Sequence, residues 1–154
     1  MTGPILCAVD FSPDSGAALS WACDQAELAG APLVVLHVVH DPAASPGFYR
    51  ELQEDWIRPM AEVAEEMMAE FMARAREARP DCAVLTAAET RLVPGLPPGR
   101  IVEVAKAVGA SMIVIGSRGR TGLAHILLGS VAERVVQTAA VPVVVVKVPN
   151  EGGA

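Results

Sequence analysis

MIVIGSRGRTGLAHILLGSVAERVV, residues 112–136, decides how the rest of the chain is read. It opens on an unbroken apolar run, Met112-Ile113-Val114-Ile115, of the kind that forms a strand buried on both faces of a parallel sheet. From Gly116 to Gly129 it carries four glycines, two arginines and two hydroxyls, and from Ser130 to Ala139 it takes on a helical pattern. Fourteen residues is long for a plain link between a strand and a helix, where roughly two to six is usual. A bare backbone beyond a buried strand suits the close approach of something else.

The same alternation extends outward in both directions. Pro4 to Asp10, Pro32 to His40, Cys82 to Thr90, Ser111 to Gly116 and Val141 to Val148 read as five strands. Between them, Ser12-Pro13 looks like a cap and first turn of a helix running to Ala29, with Ala18, Trp21, Ala22 and Leu28 sharing a face and Gly30 as its stop. Residues 41–59 are marked by Asp41-Pro42 and Ser45-Pro46-Gly47, with a short helix from Phe48 to Trp56 interrupted near Pro59. Met60, Val63, Ala64, Met67 and Phe71 then recur at helical steps and are expected to pack in the core, with Glu70 and Arg74 paired outside and Pro80 as terminator. Pro94-Gly95 and Pro97-Pro98-Gly99 read as a loop before a short helix, Ile101 to Val108, closed by Gly109. Strands alternating with helices give βαβ units, hence an α/β fold with a parallel sheet and helices on both faces. One domain, residues 1–149, and a frayed tail, 150–154, are expected.

Composition narrows the function classes. With 52% hydrophobic residues and 19% charged, a packed core is readily built. A formal charge of −6 argues against a general nucleic-acid binder, which needs basic surface. Met1 to Pro4 leads into a strand without a basic leader, and no apolar run is long enough to span a bilayer, so a soluble cytoplasmic protein without membrane attachment is expected. Cys7, Cys23 and Cys82 are odd in number and form no CxxC pair, which fits reduced thiols.

The glycine stretch is neither a P-loop nor a dinucleotide fingerprint. The only lysines are Lys106 and Lys147, and the first strand is followed by Phe11-Ser12-Pro13-Asp14 rather than by glycines. Gly116, Gly119 and Gly129-Ser130 instead allow unusual backbone angles and a concavity of amides suited to an anion. Ser130 to Glu133 reads S-x-x-E, a capping-box pattern, so the Ser130 hydroxyl serves either the cap or the ligand. Arg118 and Arg120 either add charge at the mouth or are solvated. If strands one and four are neighbours where the winding reverses, Asp10 faces the same crevice. There it meets a ribose hydroxyl or a magnesium ion, or else caps the Ser12-Pro13 turn.

The G-2x-G-9x-G-S spacing, Asp10 at the end of the first strand and the VPVVVVK last strand together resemble the universal stress protein family, in its ATP-binding branch, from Ile5 to Val148. The resemblance implies an open, Rossmann-like five-stranded sheet in the order 3-2-1-4-5 and an adenine nucleotide, ATP with Mg2+, in the crevice. It places Ala8, Val9, Asp10, Phe11 and Ser12 along ribose and base, the Val38 backbone at the adenine, and Ile115 in the lining. Gly116, Gly119, Gly129, Ser130 and Val131 would surround the phosphates, and Asp10 is the residue expected to meet any Mg2+. Ala132 stands where some relatives carry a hydroxyl.

Phosphoryl transfer needs a metal, a charge clamp and an oriented nucleophile. The chain offers no P-loop lysine and no evident base, since His125 lies in an apolar stretch and His37 and His40, three apart in a strand, point to opposite faces. Binding without efficient hydrolysis, hence no enzyme, is therefore expected, with slow ATP hydrolysis as an alternative. A further alternative is a homodimeric interaction scaffold, because Val141 to Val148 is apolar on both faces at the end of the sheet, and the resemblance also implies a homodimer.

Overall fold

The computed structural model describes residues 3–40, 50–118 and 128–148, with residues 50–59 as backbone alone. Five strands form one sheet: β1 (Ile5–Ala8), β2 (Leu33–His40), β3 (Glu89–Gly95), β4 (Met112–Gly116) and β5 (Val143–Val146). Their order is β3-β2-β1-β4-β5 and every pairing is parallel. The winding runs outward from β1 to β3 and then jumps back to β4, so the reversal lies between β1 and β4. There Ile5 aligns with Met112 and Ala8 with Ile115.

Alternation along β1 explains the layers. Ile5, Cys7 and Val9 point to one face and pack with Ala18, Leu19, Ala22, Cys23 and Ala26 of α1 (Pro13–Ala29), Met68 and Met72 of α2 (Arg50–Ala78) and Leu85 of α3 (Ala83–Thr86). Leu6 and Ala8 point to the other face, against Ile101, Val104 and Ala105 of α4 (Pro97–Val108) and Ala132 and Val135 of α5 (Ser130–Thr138). Both faces of the sheet are therefore covered by helices. Among the described residues no helix is long and apolar enough to cross a membrane.

Local chemistry sets the helix ends. Ser12 caps α1, its Oγ accepting from Ser15 N at 3.2 Å, with Pro13 in the first turn. Gly30 closes the helix at φ 63°, its N–H reaching the Ala26 and Glu27 carbonyls, and Gly109 closes α4 in the same way. The Glu70–Arg74 pair forms on the outer face of α2.

Several expectations need correction. The run beginning at Cys82 is a helical turn before it is a strand: Thr86 Oγ1 donates to the Cys82 carbonyl, and Cys82 and Leu85 are buried. The edge strand starts only at Glu89 and includes Pro94-Gly95, because an edge position tolerates a residue without an N–H. Pro97, assigned to a loop, is the first residue of α4, where a missing amide costs nothing. The helix before Met60 is not interrupted at Pro59; α2 is continuous from Arg50, its second half anchored by Ala64, Met68 and Met72. Leu28 is 84% exposed, since the buried stripe of α1 follows Ala18, Ala22 and Ala26 at four-residue steps. The last strand is shorter than expected, and the tail from 150 lies outside the described residues.

All three cysteines are buried free thiols. Burial pushes the Cys7 thiol well above its ordinary range, and burial together with the neighbouring Cys82 raises Cys23 to about 12. The thiolate is the reactive form. Native protein at pH 8 is accordingly expected to leave all three unlabelled by a maleimide, whereas denatured protein is labelled three times. Labelling of the folded protein at the rate of an exposed thiol contradicts this packing.

Candidate functional site

Beyond the carboxyl ends of β1, β2 and β4 lies a crevice of about 940 Å3. Its position is that of ligand sites in open α/β sheets generally, at the reversal of winding. Ala8, Val9, Asp10 and Phe11 form its floor, Val38 lines it from β2, and Ile115, Gly116 and Arg118 line it from β4. Gly129, Ser130 and Val131 complete the wall at the start of α5. These residues, scattered over more than a hundred positions, are brought together by the β1–β4 pairing. Gly119, Arg120 and His125 lie outside the described residues.

Ser12 does not line the crevice. It is 6% exposed and occupied with capping α1, its carbonyl accepting from Ser15 Oγ at 3.0 Å. Asp10 serves the turn, its Oδ1 accepting from Ser12 N at 3.0 Å, and it also lines the crevice. Phe11 is the hinge of this turn. Its φ of 68° is in the left-handed region that a bulky residue rarely adopts, and it is held there by packing on His37 at 4.3 Å and Phe71 at 5.5 Å between ring centroids. Such strain gathers where a site must be shaped. His37 is drawn under the same turn, Nδ1 lying 2.7 Å from the Val9 carbonyl. A carbonyl only accepts, so Nδ1 carries the proton.

The glycines act differently from the sequence reading. Gly116 sits in a regular strand register opposite Val146, with no left-handed angle. What it provides is room, because a Cβ at this position would come within 2.9 Å of the Asp14 backbone. The capping-box reading of Ser130 is also corrected. Gly129 is the N-cap of α5, without a side-chain cap bond, and Ser130 is the first helical residue. The Gly129 N–H is taken by the Ser117 carbonyl at 2.5 Å and its own carbonyl starts the helix by accepting from Glu133 N, so the boundary moves by one residue. The Ser130 hydroxyl is thereby released from capping, and the residues that open α5 line the crevice with no side-chain cap bond among the described residues.

Some lining residues have weak sequence signals. Met60, Val63 and Met67 form a wall of the crevice instead of packing in the core, Met60 being 40% and Val63 54% exposed. Ala64 is buried and Phe71 packs against the core as expected, and the rest of the buried face follows Met68 and Met72, one residue beyond Met67 and Phe71. Glu133 and Ser117 also line the crevice. Arg118 is turned to Asp14, both nearly buried, rather than standing solvated at the mouth. Among the described residues no cluster of three or more metal-ligating side chains occurs.

Comparison with known proteins agrees with this arrangement. The family model described as the universal stress protein family matches residues 1–147. A universal stress protein of Mycolicibacterium smegmatis is 37% identical over 144 residues, covering 94% of this chain but 45% of its own length. The chain thus spans less than half the length of that relative. A universal stress protein of Archaeoglobus fulgidus in complex with dAMP superposes with a TM-score of 0.63 at 32% identity, covering 94% of this chain and 98% of its own. A universal stress protein in complex with cAMP gives a TM-score of 0.64 at 25% identity, covering 95% of each chain. Fold, crevice and family match over nearly the whole length lead to one conclusion: this chain belongs to the universal stress protein family.

Proposed function

We propose that the crevice binds an adenine nucleotide and that the chain acts as a nucleotide-responsive regulator in stress adaptation, in the cytoplasm. The observation that carries this reading is the start of α5, without a side-chain cap among the described residues and lining the same crevice as Asp10, Phe11 and Val38. Helix N-termini attract phosphate through unpaired N–H groups and the positive end of the dipole. Solved relatives carrying dAMP and cAMP support an adenine nucleotide as the class. In this reading the base lies against the Val38 backbone, the ribose against Asp10 and Phe11, and the phosphates against Gly116, Gly119, Gly129, Ser130 and Val131, with Arg118 at the edge. ATP is the form proposed. Its Mg2+ suits Asp10, which engages one carboxylate oxygen in the turn and faces the crevice; a hard cation bridging phosphates asks for few protein oxygens. The metal would neutralise phosphate charge, and the chain's own residues hold the nucleotide in place.

Efficient turnover is not part of the proposal. Arg118 is paired with Asp14, so it is not poised as a charge clamp. Slow hydrolysis remains the alternative, with Glu133 in the crevice as the carboxylate to orient water. The scaffold reading rests on β5: its four valines are half-buried at the edge of the sheet, a surface that pairing Val141 to Val148 with a second copy would cover.

Millimolar AMP or ATP–Mg2+ is expected to raise the melting temperature by roughly 5–10 °C if affinity is a hundredfold tighter than the concentration used. Ser130→Asp should remove that shift while folding normally, because an acid in a first helical turn is compatible with the dipole but repels phosphate. A protein whose melting point no adenine nucleotide moves contradicts the nucleotide reading. For the assembly, sedimentation equilibrium at micromolar concentration is expected to give a dimer; a monomer throughout rules against pairing through the last strand.

A further inference from the structure

Asp14 stands second in α1, yet it does not cap its own helix, a task Ser12 performs. Its carboxylate, 8% exposed, instead reaches across to the chain leaving β4. Oδ2 accepts from Ser117 Oγ, from the Arg118 backbone N–H and from Arg118 Nε, each at 3.2 Å, and Oδ1 accepts from Arg118 Nη2 at 3.2 Å. The contact extends to the main chain, since Gly116 is seated against the Asp14 backbone with no space for a side chain. Four bonds thus fix the first residues of the glycine stretch to the first turn of α1.

The far end of the stretch is tied to the same point. The Ser117 carbonyl accepts from Gly129 N at 2.5 Å, Gly129 is the N-cap of α5, and the Ser117 N–H is held by the Val146 carbonyl at 2.9 Å. A continuous path of hydrogen bonds therefore runs from Asp14 through Ser117 and Gly129 to the turn that lines the crevice. Asp14 itself does not line the crevice, whereas Ser117, Arg118 and Gly129 do.

We propose that Asp14 is a positioning residue for nucleotide binding: by clasping Ser117 and Arg118 it sets the opening turn of α5 at the phosphate position before ligand arrives. The proposal rests on the nucleotide reading given above. A buried ion pair contributes little to stability by itself, because desolvation offsets attraction. Its value here lies in geometry, since a preorganised anion site spares the ligand the cost of ordering it. Placement of the acceptor matters more than its charge, because the path to Gly129 passes through Ser117.

The test is calorimetric titration of adenosine, AMP and ATP–Mg2+ into the unaltered protein and into Asp14→Ala, Asp14→Asn and Asp14→Glu. Asp14→Ala is expected to weaken AMP and ATP roughly tenfold or more while adenosine, which does not use the α5 amides, stays within about twofold. Asp14→Asn, which keeps an acceptor for Ser117 Oγ and the Arg118 N–H, should restore AMP binding to within about threefold. Asp14→Glu keeps the charge but displaces the acceptor by a methylene, and should weaken AMP as well; it and Asp14→Asn decide the matter if the alanine variant does not fold. AMP and ATP bound equally or more tightly by Asp14→Ala, or adenosine lost in the same proportion, overturns the positioning role. An unaltered protein that binds none of the three ligands overturns the nucleotide reading itself, a separate and recognisable failure.

Discussion

The parallel pairing of Ile5–Ala8 with Met112–Ile115 is the constraint on which everything else depends. It joins segments more than a hundred residues apart at the centre of the sheet, where both strands are buried on both faces. Because the chain winds outward from β1 in one direction and from β4 in the other, the connections leaving these two strands diverge. A crevice opens between them as a geometric consequence. The turn at Asp10-Phe11 and the residues Gly116, Ser117 and Arg118 are its two lips, with α1 beginning behind the first and Gly129 at the start of α5 completing the wall.

Two kinds of polar chemistry then shape the lips. On one side, Phe11 is held in a left-handed conformation by His37 and Phe71, which lets Ser12 cap α1 and turn its N–H to Asp10. On the other, Gly116 gives up its side chain to let α1 approach, and Asp14 takes the Ser117 and Arg118 donors. The consequence is a charge balance unlike that of a lysine-based phosphate loop. Arg118, at the edge of the crevice, is already matched by Asp14, so main-chain amides and a helix dipole carry the attraction for an anion in the proposed function.

Much of this architecture was legible from the residues. Buried parallel strands appear as uninterrupted apolar runs, and Ser12, Gly30 and Gly109 mark helix ends by mechanisms confined to a few neighbouring residues. Where tertiary context decides, local reading failed. Cys82-Ala83-Val84-Leu85 carries β-type residues yet forms a helical turn, because packing on α1 buries Cys82 and Leu85 together. Met60, Val63 and Met67 have the spacing of a core stripe, but the face of α2 that meets the sheet is shifted by one residue, and only the packed fold reveals which. The S-x-x-E pattern at Ser130 resembles a capping box, but the Ser117 carbonyl, distant in sequence, captures Gly129 and moves the helix start. The Asp14–Arg118 contact has no sequence signature, since its partners lie 104 residues apart.

The central claim is that main-chain amides at the start of α5 hold the anionic end of a nucleotide. Amide chemical shifts in 15N-labelled protein, followed as AMP is added, address it residue by residue. The account predicts the largest downfield proton shifts at Ser130, Val131 and Ala132, growing saturably with AMP and much reduced with adenosine. Saturable binding of AMP that leaves those three amides unmoved, with the perturbed signals confined to other parts of the molecule, would contradict it.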